Sequence, residues 1–362
     1  MLSTSTSALR NFAFLILIFV VLFFGKDVFM PLAIGGILAT LFLPLCRRIE
    51  RANIHRAVAA ISCLLLLIVG VAGVLVLLGW EISRLSGDFV IIKQRALDAG
   101  NRMQEYIFNH LGVSIEKQTQ ILKDEQPSLA FVMQRIGLSF TYIFSNTIFT
   151  LMYVALLLYY RTHLYNFILL LAGPTHREKT ARVIYSATLV SHQYLVGLSK
   201  MIFCLWVMYG IGFSALGVRN ALFFAFLCGL LEIVPYIGNL TGTTLTLLVA
   251  AAQGAGIPVL GGIVLVYGFI QFIQGWILEP LIVGHQVKIN PLFIILALVL
   301  GELVWGIAGV FLAIPLIAML KTVCDNIESL KPYGFLLGET GSKKEELSLL
   351  KKARKIFHEK KG

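Results

Sequence analysis

Charge is scarce in this sequence: Asp, Glu, Lys and Arg make up 14% of its 362 residues, while 58% are hydrophobic. At a mean hydropathy of +0.85 there is too little polar surface to clothe a soluble globule, and the composition is that of a polytopic membrane protein. Acidic residues are scarcer than basic ones, 19 against 30. The basic excess does not form a nucleic-acid face, because it sits in short loops between apolar runs and near the C-terminus, as in the cytoplasmic segments of membrane proteins. Cysteine is limited to Cys46, Cys63, Cys204, Cys228 and Cys324. Their number is odd and no C-x-x-C spacing occurs, which argues against a disulfide framework or a zinc site and leaves them as small packing residues. No P-loop and no H-E-x-x-H or similar hydrolase constellation is found, so neither ATP hydrolysis nor intramembrane catalysis is expected. The histidines are scattered, and nothing implies a metal or a cofactor.

What is abundant is apolar sequence. Residues 1–80 read as a membrane-inserted segment with spans near 11–25, 28–45 and 57–79; a second apolar run directly after Gly25-Lys26-Asp27 argues against a cleaved signal peptide. Arg47, Arg48, Arg51 and Arg56 suggest a cytoplasmic loop, which places the N-terminus inside. Residues 81–136 mix seven basic and seven acidic residues with helically spaced Leu85, Phe89, Ile92 and Met103. They read as extracytoplasmic amphipathic helices, either a packing cap or a gate. Residues 137–200 hold a fourth span, near 137–160, then a basic stretch with Arg177, Lys179, Arg182 and Lys200 that reads as a cytoplasmic helix on the membrane surface after Pro174. A fifth span follows near 201–217. In the tail, 326–362, the last part carries eight Lys/Arg against three Glu over 342–361 and is expected to be cytoplasmic.

The region 201–325 is the expected transport core. From Arg219 to Pro258 the apolar sequence is interrupted by Pro235-Tyr236-Ile237-Gly238-Asn239, leaving arms of about 15 residues where a crossing needs roughly 20. That predicts a re-entrant helical hairpin entering from outside. A sixth span covers 258–279 and ends at Glu279-Pro280. The next apolar stretch, 291–320, starts and ends inside by charge, so a second hairpin is expected, entering from the cytoplasm and breaking near Gly301-Glu302, with Pro315 a further helix breaker. The fold class is therefore all-α and polytopic, with about six full transmembrane helices and two re-entrant hairpins of opposite orientation. Such pairs in secondary transporters place their broken ends around a midplane site, here expected between Pro235, Gln274 and Gly301.

Carboxylates in this third of the chain stand out. Glu232, Glu279 and Glu302 lie within or at the edge of apolar runs. An intramembrane carboxylate is costly unless paired, protonated or hydrated, so it marks a pathway or an ion site by default. Burial also raises a carboxyl group's proton affinity, as proton coupling requires. The competing readings are structural: Glu279 as an interfacial loop cap, and Glu232 as a partner for backbone freed by Pro235. Gln271 and Gln274, three residues apart, share a helix face with Tyr267 and form a polar stripe that either lines a path or binds helices together. The threonines at 241, 243, 244 and 246 are expected to bond to backbone.

Glu232-Ile-Val-Pro-Tyr-Ile-Gly238, the run from Gln271 to Pro280 ending Ile-Leu-Glu-Pro, Asn290-Pro291-Leu, and Gly306-Ile-Ala-Gly-Val-Phe-Leu-Ala-Ile-Pro315-Leu together resemble the autoinducer-2 exporter (AI-2E) family of bacterial inner-membrane permeases. The resemblance implies a homo-oligomeric, pentameric transporter in the lipid bilayer, exporting a small polar solute or a monovalent cation, with sodium or lithium/proton antiport known for some members. Asn239 stands where the family usually has Pro, Gln274 where Glu is frequent, and Asn290 where His is common, which shifts the expected ion coupling onto Glu232, Glu279 and Glu302. A passive pore or a structural scaffold is the alternative from another class.

Overall fold

The computed structural model describes residues 2–86, 129–234, 237–283 and 289–339. The expected 81–136 segment therefore lies mostly outside the described residues, as do Pro235, Tyr236 and the basic stretch of the tail. Among the described residues the chain is helical, without a strand: α1 (Leu2–Phe24), α2 (Lys26–Arg51), α3 (Arg56–Ser86), α4 (Leu129–Leu171), α5 (Arg177–Ala215), α6 (Ala221–Leu231), α7 (Ile237–Ala252), α8 (Ile257–Ile273), α9 (Pro291–Trp305), α10 (Ile307–Asn326) and α11 (Lys331–Leu337). A π-helix, Gln274–Val283, continues α8 without a break. Among the described residues six helices are long and apolar enough to cross a membrane: Lys26–Arg51, Arg56–Trp80, Tyr142–Leu171, Pro174–Ala215, Ile257–Ile282 and Ile307–Asn326. The chain is an all-α multi-pass membrane protein.

Several expected boundaries move. Arg47, Arg48 and Arg51 belong to the end of α2 and not to a loop; cations there complement the negative end of the helix dipole. The surface helix expected after Pro174 and the span expected near 201–217 are one helix, α5, of 39 residues. Between Arg177 and Tyr209 the sequence offers no proline and a single glycine, Gly197, so nothing interrupts the hydrogen-bond ladder. At 1.5 Å per residue α5 is about 58 Å long and α4, with 43 residues, about 64 Å, both far beyond a hydrocarbon core of about 30 Å.

The chain divides into two compact units. The first comprises residues 27–159 and 198–280. In it α2, α3 and α4 bury Ala39, Cys46, Ala59, Ala60, Cys63, Val154 and Leu158 against one another. Small residues dominate this seam because lipid offers no hydrophobic drive between helices, so association depends on close backbone approach. Farther along, the Trp206 indole of α5 donates to the Phe226 carbonyl of α6 at 3.0 Å and stacks on its ring. α6 and α7 then form a helical hairpin of two short arms, 11 and 16 residues, about 16 and 24 Å long.

The second unit comprises residues 1–26, 160–197 and 281–362. Its centre is the hairpin of α9 and α10. The turn falls at Gly306, with φ 61 and ψ −143, a conformation open essentially to glycine alone. The break expected at Gly301-Glu302 is therefore displaced: Gly301 is inside α9, where its backbone lies directly against that of Gly309, leaving no room for a Cβ on either. Pro315 is likewise not a break but lies within α10, buried. α10, at 20 residues, is about 30 Å long, whereas α9, at 15, is about 22 Å; the arms are unequal. The Trp305 indole donates to the Leu22 carbonyl of α1 at 3.0 Å. Beyond α10 the chain folds back: α11 packs on α10, the Asn290 amide donates to the Leu337 carbonyl at 2.9 Å, and Lys179 pairs with Glu328 at 3.3 Å.

Candidate transport site

The first hairpin builds the site. α6 is wholly apolar and ends at Leu231, four residues before Pro235, which cannot supply an amide and restricts the residue before it. The turn is closed by backbone bonds from Val234 to the Leu231 carbonyl at 2.9 Å and from Gly238 to the Val234 carbonyl at 3.0 Å. Gly238 presses so closely on the Leu231 carbonyl that any side chain there would collide with it. Gly238 and Asn239, expected at the break, therefore occupy the first turn of α7.

On α7, Asn239, Thr243 and Thr246 follow at helical spacing and are all buried. Thr246 bonds back to the Gly242 carbonyl at 2.8 Å. Asn239, 1% exposed, is the hub of a polar chain. Tyr209 of α5, fully buried, donates its hydroxyl to Asn239 Oδ1 at 2.6 Å. Asn239 Nδ2 donates to Gln274 Oε1 at 3.3 Å, and Gln271 Nε2 donates to the same oxygen at 3.4 Å. Gln274 Nε2 in turn donates to Glu232 Oε1 at 2.5 Å. Glu232 is 7% exposed, and its Oε2 is buried without a hydrogen-bond partner among the described residues. A buried polar atom left so costs about 1–3 kcal/mol, more when charged, and is the kind of exception that calls for a function.

Of the residues anticipated from sequence, Glu232, Gln271, Gln274 and Asn239 thus meet in one network. Glu279 lies on the exposed side of the π-helix, within electrostatic reach of Glu232. Gly301 and Glu302 belong to the other unit, where Glu302 is exposed on α9. Tyr209 was not anticipated. Its signal was a tyrosine, followed by Gly210, inside the apolar run of α5, and tyrosine is too common in membrane proteins for that to stand out. The π-helix starting at Gln274 was not anticipated either; such segments recur at functional sites because they change the direction in which side chains project. Among the described residues no group of three or more His, Cys, Asp or Glu is arranged to hold a metal ion.

A carboxylate buried among apolar membrane helices is the setting of a transport pathway. Comparison with known proteins agrees in kind. Three of its relatives, each named a "Putative transport protein", show the range of the match. YueF of Bacillus subtilis is 27% identical over 322 residues, 84% of this chain and 85% of its own length. YhhT of Escherichia coli K12 is 23% identical over 345 residues, 92% of this chain and 95% of its own. YrrI of B. subtilis is 33% identical over 130 residues, a match spanning 36% of each chain. The model of the "AI-2E family transporter" matches residues 12–329. With helices, hairpin and match covering most of its length, the chain belongs to the AI-2E family of membrane transporters.

Proposed function

We propose that this chain is a secondary transporter of a bacterial inner membrane, with both termini cytoplasmic, that exports a small polar solute or a monovalent cation and couples its movement to protons or sodium at Glu232. The observation that carries the reading is the Glu232 carboxylate itself: buried at the end of a short helix, held on one oxygen by Gln274 and, among the described residues, unpartnered on the other. A carboxylate so placed favours whatever cation reaches its second oxygen, and a turn at the end of an 11-residue helix lets such a site open without unfolding a full span. Glu279 and Glu302, exposed on apolar helices, support a homo-oligomer or a water-lined path, because neither carboxylate is stable against lipid. No catalytic role is proposed.

The test uses purified full-length protein in liposomes with a trapped pH-sensitive dye. Imposed proton or sodium gradients should drive dye-reported proton movement, and Glu232→Gln should abolish it while leaving the protein folded. Indifference of the wild type to both gradients would sink the coupling, and unchanged flux in the variant would move the coupling group elsewhere.

A further inference from the structure

The polar chain around Glu232 has a direction. Tyr209 donates to Asn239, Asn239 donates to Gln274, and Gln274 donates to Glu232, so every hydrogen points from α5 toward the carboxylate. Each link fixes the next. An amide that receives a hydrogen bond on its oxygen presents its NH2 to the neighbour beyond, and two amides in series pass the polarity from end to end. The ends differ in chemistry: an ionised carboxylate only accepts, whereas a tyrosine hydroxyl both donates and accepts.

We infer that Tyr209, Asn239 and Gln274 form a reversible hydrogen-bond relay that reports the protonation of Glu232 to α5. The inference rests on the reading of Glu232 as a proton-exchanging group. With the carboxylate ionised, the relay runs as observed. When a proton from solvent adds to the carboxylate, no other bond changing, the new O–H must donate. On Oε2 it finds no acceptor among the described residues; facing Gln274 it finds one if the amide turns its oxygen toward Glu232. Gln274 then presents NH2 to Asn239, Asn239 turns in the same sense, and Tyr209 changes from donor to acceptor. The reversal satisfies every amide when Gln271, which donates to Gln274 Oε1 in the observed direction, turns its own oxygen toward the Gln274 NH2 in step, and the proton decides between the two states. Tyr209 is fully buried and packs on Phe213 of α5 with ring centroids 5.2 Å apart, so the reversal reaches α5 through its hydroxyl. Tyr209 is accordingly a positioning residue: it sets the amide orientation that aims an N–H at Glu232 and does not meet the transported species. The other titratable groups near the relay are Cys228 of α6, which faces Thr246, Tyr267 of α8 and Glu279 of the π-helix; none is a link in it.

Infrared difference spectroscopy of the full-length protein in lipid vesicles, acid minus neutral, with ring-labelled tyrosine, reads both ends at once. The expected spectrum contains a protonated-carboxyl band lost in Glu232→Gln and a tyrosine C–O shift lost in Glu232→Gln and Tyr209→Phe but kept in Tyr267→Phe. In Gln274→Met the carboxyl band should remain and the tyrosine shift should vanish. A wild-type carboxyl band without a tyrosine shift overturns the relay alone, and needs no variant to fold. The same holds for a shift that survives in Gln274→Met. Absence of the carboxyl band overturns the proton reading of Glu232, and the relay with it.

Discussion

Within one helix of the hairpin, two buried polar residues are expected to behave oppositely. Replacing Asn239 by Ala removes the acceptor of the Tyr209 hydroxyl and the donor to Gln274 at a site that is 1% exposed. Each orphaned group costs about 1–3 kcal/mol, so the midpoint of thermal unfolding in detergent should fall clearly. Thr246→Val, seven residues on, loses a bond that turns back on its own helix and a weak 3.8 Å contact with the Cys228 thiol while keeping the branched shape, so its midpoint should fall far less than that of Asn239→Ala. A clear loss in Thr246→Val and none in Asn239→Ala would show that the network does not organise the hairpin. The sequence made Glu232 and Gln274 conspicuous, because charge and amides are costly in apolar runs. Asn239 drew notice as part of a break and not as a side chain with partners, and Tyr209 drew none. Which polar side chains meet is decided by helix packing between residues thirty or more apart, as Tyr209 and Asn239 are, and single-helix periodicity carries no record of that.

At the scale of elements, the two glycine contacts of the α9–α10 hairpin do different work. Gly309→Ala places a methyl group against the Gly301 backbone and is expected to cost about 1–3 kcal/mol by overpacking. Gly306→Ala meets open space but must adopt φ 61, with strain of about 1–3 kcal/mol. Mixed-micelle denaturation of the two single variants checks both, and wild-type stability in either would refute the mechanism assigned to it. The first hairpin was legible in arm length, for lipid thickness sets what a helix must reach; the second was expected from charge parity, and its α10 arm of 20 residues is long enough to cross a membrane. The exact turn was not. Gly301 and Gly306 look alike as residues, and only the facing Gly309 decides that the first serves contact and the second reversal. The fusion of the expected surface helix and span into α5 was missed for a related reason: the polarity change around Lys200 marks where water gives way to lipid, not where a helix ends. The π-helix has no residue signature, and Pro280 within it reads equally well as a helix end.

For the whole molecule, orientation and assembly bear on transport. His55, exposed after α2, and Arg219, exposed between α5 and α6, mark opposite faces if the basic clusters lie inside. Introduced one at a time into a Cys204→Ser background, cysteines at these positions should react with an impermeant thiol reagent from opposite sides of right-side-out vesicles, His55→Cys only after permeabilisation and Arg219→Cys before it. Reaction of both from one side would refute the orientation proposed. Native mass spectrometry from mild detergent should give a pentamer, the state the family resemblance implies; a monomer that retains coupled flux would remove assembly from the mechanism.

The seating of the sulfurs has a practical consequence. Cys46, Cys63, Cys228 and Cys324 are buried, and Cys204 alone is partly open. A bulky maleimide dye added to the folded protein should therefore mark one position on α5, five residues before Tyr209, and the natural sequence should serve as a ready single-fluorophore reporter of motion in that helix.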